Sequence, residues 1–277
     1  MCNFGSDILP IFSFPPKPII LFLYPDSSCL SRRSAIIRYP PPEAITPKSY
    51  SPDVVLYYCN MNNQSLLQYL SISLPAIPIQ GSAPSRNTTN PRYGAEDITQ
   101  VVDWPEFNYA TIIQRYGGFL NSKQIASDPF RSPPAAIRDE PHFHLRFAEL
   151  LQPRVRRALR AGFEELAPRL KQLSLVPITF DGGGSAAYVD QFRPDTAFVT
   201  LGGTYADSTN RAPGDMKVSW KWRSDYRHSQ NPIFQEQYKQ VLSQVNFYMG
   251  QHKARHGFVL TNTELIGVKR LDTNGSL

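Results

Sequence analysis

The second half of the sequence predicts an α/β domain, a mixed sheet flanked by helices. Three observations predict it. An apolar stripe with helical spacing starts at Val155. Short strand-like runs separated by glycine-rich and polar turns begin at Leu175. A second helical stripe follows Asn231-Pro232. Periods near 3.6 and near 2 thus succeed one another along one chain, the pattern of layered α/β domains.

The elements justify themselves in order. Residues 1–90 hold 13 of the 25 prolines, and their short apolar bursts keep neither period. They read as a largely disordered Pro-rich region with one short helix around Ser65–Leu70. All three cysteines, Cys2, Cys29 and Cys59, lie there, and an odd count argues against a closed disulfide framework. A reducing compartment is the simpler reading. Residues 91–150 read as an accessory helical region. Tyr109–Tyr116 forms a helix closed by Gly117-Gly118, and Pro141–Leu151 has helical apolar spacing. His142 and His144 invite a metal reading, but residues two apart point to different helix faces, and no further His or Cys lies near them in sequence.

From Arg154 to the end the pattern is regular. Val155, Leu159, Phe163, Leu166, Leu170 and Leu173 form the first stripe, which Pro168 kinks or ends. Leu175–Phe180 reads as a strand closed by the turn Asp181–Gly184, and Ser185–Arg193 and Thr196–Leu201 read as strand. After a polar loop, Asp215–Trp222 reads as another strand. Asn231 is an N-cap with Pro232 at the first helical position, and Phe234, Tyr238, Val241, Val245 and Tyr248 give the stripe of that helix. Gly257–Leu260 and Leu265–Leu271 close the set as strands. Asn274-Gly275 ordinarily turns into a partner strand, and only two residues follow, which leaves open a truncation of the domain of residues 151–277.

The net charge of +6 belongs wholly to residues 151–277, which carry 17 Lys+Arg against 11 Asp+Glu, whereas residues 1–150 carry 12 of each. A basic domain suits a polyanion such as nucleic acid or an acidic membrane surface; a mildly basic soluble surface is the alternative. The run Pro18–Tyr24 is far short of a membrane span, and the start lacks the basic residues of a signal peptide, which favours nucleus or cytoplasm. No Gly-x-x-x-x-Gly-Lys loop exists for a nucleotide phosphate, and Gly183-Gly184-Ser185 lacks the second glycine of a nucleophile elbow. His228, His252 and His256 sit in polar or basic settings and read as helix-end or surface residues.

The triplet Asp215-Met216-Lys217 carries the chemistry. On a strand, residues two apart face the same way. Met216, Val218, Trp220 and Trp222 then suit a core, while Asp215, Lys217, Ser219, Lys221 and Arg223 form a polar, mostly basic face. Asp195 follows Pro194 on the preceding strand and converges with Asp215 if the two strands are neighbours. Phosphodiester hydrolysis asks for such a set: hard carboxylate oxygens for Mg²⁺ or Mn²⁺, and a lysine beside them to orient water and stabilise charge on phosphate. Two unrelated strand-edge charges are the plain alternative.

Pro194-Asp195 and Asp215-Met216-Lys217 match the two defining motifs of the PD-(D/E)xK nuclease superfamily, and residues 154–271 resemble it. The resemblance implies a restriction-endonuclease-like core and a metal-dependent nuclease acting on DNA or other nucleic acid. It is nearest to the RecB-type branch, which adds a glutamate on the first helix, here in Gly162-Phe163-Glu164-Glu165, and a glutamine and tyrosine four apart, here Gln244 and Tyr248. It is also similar to a group of fungal proteins of undefined function. By the resemblance Glu165 is a third metal ligand or a base beside Asp195 and Asp215, and Gln244 and Tyr248 contact DNA or brace the site. Read from the residues alone, Glu164 and Glu165 lie off the apolar stripe and suit a solvated pair. Gln237, Gln240, Gln244 and Tyr248 share one helical face that either lines a groove or faces water. Lys221 and Arg223 extend the basic face toward nucleic acid. A catalytically silent nuclease fold used for binding is the other reading of the whole.

Overall fold

The computed structural model describes residues 63–277, apart from 82–85, 131 and 204–207, together with the backbone of two short strands, β1 (Ile11–Phe14) and β2 (Lys17–Ile20), which pair antiparallel. The expected disorder of the Pro-rich region lies for the most part outside the described residues, as do all three cysteines.

The packed body starts earlier than the limit at residue 90. β3 (Asn63–Ser65) pairs with β4 (Gln124–Ala126) and leads into α1 (Leu66–Ser71). Ser65 caps that helix reciprocally: its hydroxyl accepts from the Gln68 N–H at 3.1 Å, and the Gln68 side chain accepts from the Ser65 N–H at 2.9 Å. Leu66, Tyr69 and Leu70 are buried, and three apolar residues on one short turn are too few to register as a period in sequence. α2 (Tyr109–Ser122) runs straight through Gly117-Gly118 instead of ending there. Each glycine costs about 1 kcal/mol of helix propensity. Burial of Ile112, Gly117 and Leu120 on one face outweighs it. α3 (Glu140–Leu150) is capped by Asp139, whose carboxylate accepts from the His142 N–H at 2.9 Å. α4 (Gln152–Leu166) ends just before Pro168, so Leu170 and Leu173 of the expected stripe fall outside the helix.

The remaining elements are β5 (Ile178–Gly182), β6 (Thr196–Thr200), β7 (Gly214–Met216), α5 (Pro232–Gln251), β8 (His256–Leu260) and β9 (Leu265–Lys269). They form a mixed five-stranded sheet of order β5-β6-β7-β8-β9, in which only the β7–β8 pair is parallel. A parallel pair needs a crossover, and α5 supplies it. Two expected strands are corrected. Ser185–Arg193 is a turn: Asp190 and Gln191 have φ of 49° and 66°, and the Phe192 N–H donates to Val189 O at 2.9 Å. The strand expected over Asp215–Trp222 stops at Met216, and the Lys221 and Trp222 N–H groups both turn back to Val218 O.

Helices cover both faces of the sheet. Phe180, Phe198, Met216, Phe258 and Leu260 pack with Tyr69, Ile112, Phe143, Phe147, Val155 and Leu159 of α1 to α4. Val259 and Val268 point the other way and pack with Val241, Val245 and Met249 of α5 and with Trp222. Asp215 lies opposite Val259 and therefore faces α5, whereas Met216 lies opposite Leu260 and faces α1 to α4. The chain beyond β9 does turn at Asn274-Gly275, where Gly275 has φ of 85°. Ser276 then bridges Gln100, and the Leu277 carbonyl accepts from the Val102 N–H at 2.9 Å. Among the described residues no helix is long and apolar enough to cross a membrane.

Candidate active site

Two glycines bring the acidic residues together. Thr196 pairs with Gly214 in the antiparallel β6–β7 contact. Continuing that register by one residue sets Asp195 across from Asp215. A side chain at Gly214 would collide with the Phe258 ring and the Thr196 hydroxyl, so only glycine permits this approach. On the other flank the Gly183 N–H donates to Asp195 O at 2.9 Å, and a Cβ at Gly183 would run into the Pro194 carbonyl. The Gly182–Gly184 run is thus the tight turn expected of it, and it seats Pro194-Asp195 against β5.

Asp195 Oδ2 accepts from the Met216 N–H at 2.7 Å, and its charge acts on the neighbouring Asp215 carboxyl. Lys217 Nζ lies 2.6 Å from Asp215 Oδ2. The expected Asp195–Asp215–Lys217 cluster is therefore assembled. Its burial differs from the expected open polar face: Asp215 is 1% and Lys217 6% exposed, whereas about a quarter of the Asp195 side chain (26%) meets solvent. Asp215 Oδ1 has no hydrogen-bond partner. Burial pushes the Asp215 carboxyl up to about 7, against the pull of Lys217 and with the help of Asp195. Burial raises Asp195 as well, again opposed by Lys217. For Lys217 burial disfavours the charge, but Asp215, Asp195 and Glu140 outweigh it, and the ammonium stays protonated well above its usual range.

Two residues that the sequence reading left in the accessory region complete the cluster. Glu140 and His144 stand one turn apart on α3. Glu140 Oε1 is 3.9 Å from Lys217 Nζ, and Glu140 Oε2 is 3.0 Å from Lys221 Nζ. His144 Nε2 is 3.9 Å from Asp195 Oδ2, is buried and has no hydrogen-bond partner. Burial holds the His144 pKa below its usual value, so at neutral pH the imidazole is uncharged. Their i, i+4 spacing sets Glu140 and His144 on one helix face, but nothing in the sequence names the strands that this face meets.

Glu165 is not brought to this cluster. It is exposed near the end of α4, 3.9 Å from Lys123 Nζ, and Glu164 shares that lysine at 3.8 Å. The solvated pair read from the residues alone is what forms, because both lie off the buried stripe of α4. The residues expected to touch nucleic acid also part company. Lys221 is tied to Glu140, and Arg223 is an exposed partner of Asp225. Gln240 is buried with Nε2 unpartnered, and Gln244 Nε2 donates to the Tyr248 hydroxyl at 3.1 Å. The polar stripe of α5 is covered at both ends by the segment from Arg86 to Tyr93: Asn87 meets Gln237, and Tyr93 packs on Phe247. Asn87 donates to Gln237 Oε1 from its backbone N–H at 2.9 Å and from Nδ2 at 3.0 Å. His252 and His256 are buried, not surface residues. His252 Nδ1 accepts from the Asn210 N–H at 3.3 Å, and His256 stacks on Trp104, with burial lowering its pKa to about 3.

Among the described residues no group of three or more His, Cys, Asp or Glu side chains is placed to hold a metal ion. The chemistry of the pair Asp195–Asp215 nevertheless suits a hard cation. Mg²⁺ keeps most of its waters and needs one or two carboxylates plus substrate phosphate, and the bare Asp215 Oδ1 is an acceptor without a donor. No protein-family model, curated protein or solved structure matches this chain.

Proposed function

We propose that the chain is a metal-dependent phosphodiester hydrolase acting on nucleic acid, with a restriction-endonuclease-like core of the PD-(D/E)xK kind. The observation that carries the reading is the meeting of Asp195, Asp215 and Lys217 across one strand pair, with Asp215 Oδ1 left without a donor. The order of α4, three strands, α5 and two strands supports the same core.

In this reading Asp195 and Asp215 hold Mg²⁺ or Mn²⁺. When bound there, the ion neutralises charge on the phosphate and lowers the pKa of a water. Lys217 keeps its proton, fixed by Asp215, and presents a positive charge to a phosphate oxygen. Neutral His144, with Nε2 free beside Asp195, is placed to take the proton from an attacking water, and Glu140 holds Lys217 and Lys221 in register. The test is incubation of the whole chain with Mg²⁺ or Mn²⁺ and labelled single- and double-stranded DNA and RNA, beside Lys217→Met. Cleavage that needs metal and is lost in the variant supports the reading.

A catalytically silent scaffold is the second reading, favoured by one observation. Asp215 and Lys217 are nearly sealed from solvent and paired with each other, which is how a structural ion pair looks. Binding of nucleic acid without cleavage of any of the four substrates would select it.

A further inference from the structure

We propose that residues Arg86–Tyr93 are an intramolecular strap that closes the Asp195–Asp215–Lys217 cluster and must lift before a polynucleotide can engage it. This rests on the hydrolase reading and adds a regulation of that same site.

The strap is anchored at its two ends. At the first, Asn87 is 6% exposed; besides its two hydrogen bonds to Gln237, its Nδ2 donates to Lys221 O at 3.4 Å. Lys221 is the residue that Glu140 ties to Lys217, so this anchor grips the basic side of the site. At the second, the Tyr93 ring packs 5.4 Å from Phe247 and 6.3 Å from Phe192, and its hydroxyl meets Tyr248 within electrostatic reach of Asp215 and Lys217. From Gln237 to Tyr248 α5 rises about 16 Å, a span that the stretch Asn87–Asn90 and the turn Asn90–Tyr93 bridge together. The strap turns at Asn90-Pro91, where Asn90 Oδ1 accepts from the Arg92 N–H at 2.9 Å. Arg92 meets Asp190 at 3.7 Å and lies over the Phe192 ring.

Of these eight residues only Asn87 and Tyr93 are buried. Lifting the strap therefore breaks two anchors, one polar at Asn87 and one apolar at Tyr93. Lowered, it occupies Gln237 Oε1 with two Asn87 N–H donors, the kind of donor that a base edge also offers, and sets Tyr93 against Tyr248 beside the buried Asp215 and Lys217. The occupant of this end of the α5 stripe is thus the protein's own chain.

The test reads opening of the strap and needs no catalytic activity. The whole chain is exchanged into heavy water near neutral pH, and deuterium uptake over residues 86–93 and 214–217 is followed by mass spectrometry, with α2 as the reference. Asn87→Ala should raise exchange over both stretches at least fivefold relative to α2, and Arg92→Glu, which sets like charges against each other at Asp190, at least twofold. Asn87→Ala, which changes no charge, should also bind a fluorescent oligonucleotide at least threefold more tightly than the parent. Should Asn87→Ala fail to fold, the exposed Arg92→Glu still gives the exchange reading. Parental exchange in folded variants overturns the strap. Faster exchange with unchanged oligonucleotide affinity overturns its inhibitory role. Faster exchange in a protein that binds no nucleic acid leaves the strap standing and overturns the hydrolase reading instead.

Discussion

Asp195 and Asp215 face one another across the β6–β7 contact, and the Asp195 carboxylate is held there by the backbone N–H of Met216, 2.7 Å away. That bond fixes one acid with a main-chain donor that only proline at 216 would remove, while the other acid depends on a lysine. The two should therefore answer differently to mutation, pH and metal.

Replacing the lysine tests the dependence directly. Lys217→Met leaves Asp215 buried without its cation, a change that costs about 3–5 kcal/mol when a buried pair is broken. Cleavage should fall on the order of a hundred- to thousandfold, the loss seen when one stabilising donor is removed from a reacting anion. Thermal melts beside cleavage rates separate the two effects; a variant that cuts at the parental rate would move the catalytic role elsewhere.

The pH dependence has a definite sign. The Asp215 carboxyl is raised from 3.8 to about 7 in the folded state. A raised carboxyl contributes stability that is complete below pH 4 and is lost as pH climbs through 7, on the order of 4 kcal/mol for a shift of this size. Asp215→Asn has no such loss. The stability difference between variant and parent, measured by urea unfolding, should shift toward the variant as pH is raised from 4 to 8. A difference that stays flat means Asp215 is ionised throughout.

A divalent ion should act on the same charge. Mn²⁺ competes with the proton at Asp215, so it should raise the parental melting temperature more at pH 8 than at pH 5, by an amount that grows with its concentration. The shift should vanish in Asp215→Asn and survive in Glu165→Gln, because Glu165 belongs to Lys123. Melting curves with and without Mn²⁺ decide it.

Trp220 and Trp222, both expected in a core, should answer differently to removal. Trp222 is fully buried, stacks on Tyr238 at 5.8 Å and donates its indole N–H to Tyr238 O. Trp222→Ala should cost about 3–5 kcal/mol. Trp220 is only partly buried, so Trp220→Ala should cost clearly less, measured by the same unfolding.

What the sequence made legible was local. The Asp215–Lys217 pair follows from strand alternation over three residues, and α5 follows from Asn231 and Pro232, whose side chain and ring act on the next turn. Glu140 and His144 reach the site from α3 by packing, across more than fifty residues of chain, and no period in the sequence encodes that meeting. The strand expected over Asp215–Trp222 failed for a related reason. Alternation continued in the letters, but Lys221 and Trp222 bond back to Val218, and nothing local announces that turn. The α5 stripe was correctly grouped, yet its cover, Asn87, lies 150 positions away from Gln237.

Gly183 and Gly214 contribute no side chain to any reaction, yet Gly183 leaves the space of the Pro194 carbonyl and Gly214 that of the Phe258 ring and the Thr196 hydroxyl, and so each lets the chain beside an acid come close. A catalogue of chemically active side chains would pass over both. In a saturation screen for function, they should stand out as intolerant as the acids themselves, and even alanine there should displace a carboxylate. The vulnerability of this site thus lies partly in two places where the chain carries only hydrogen.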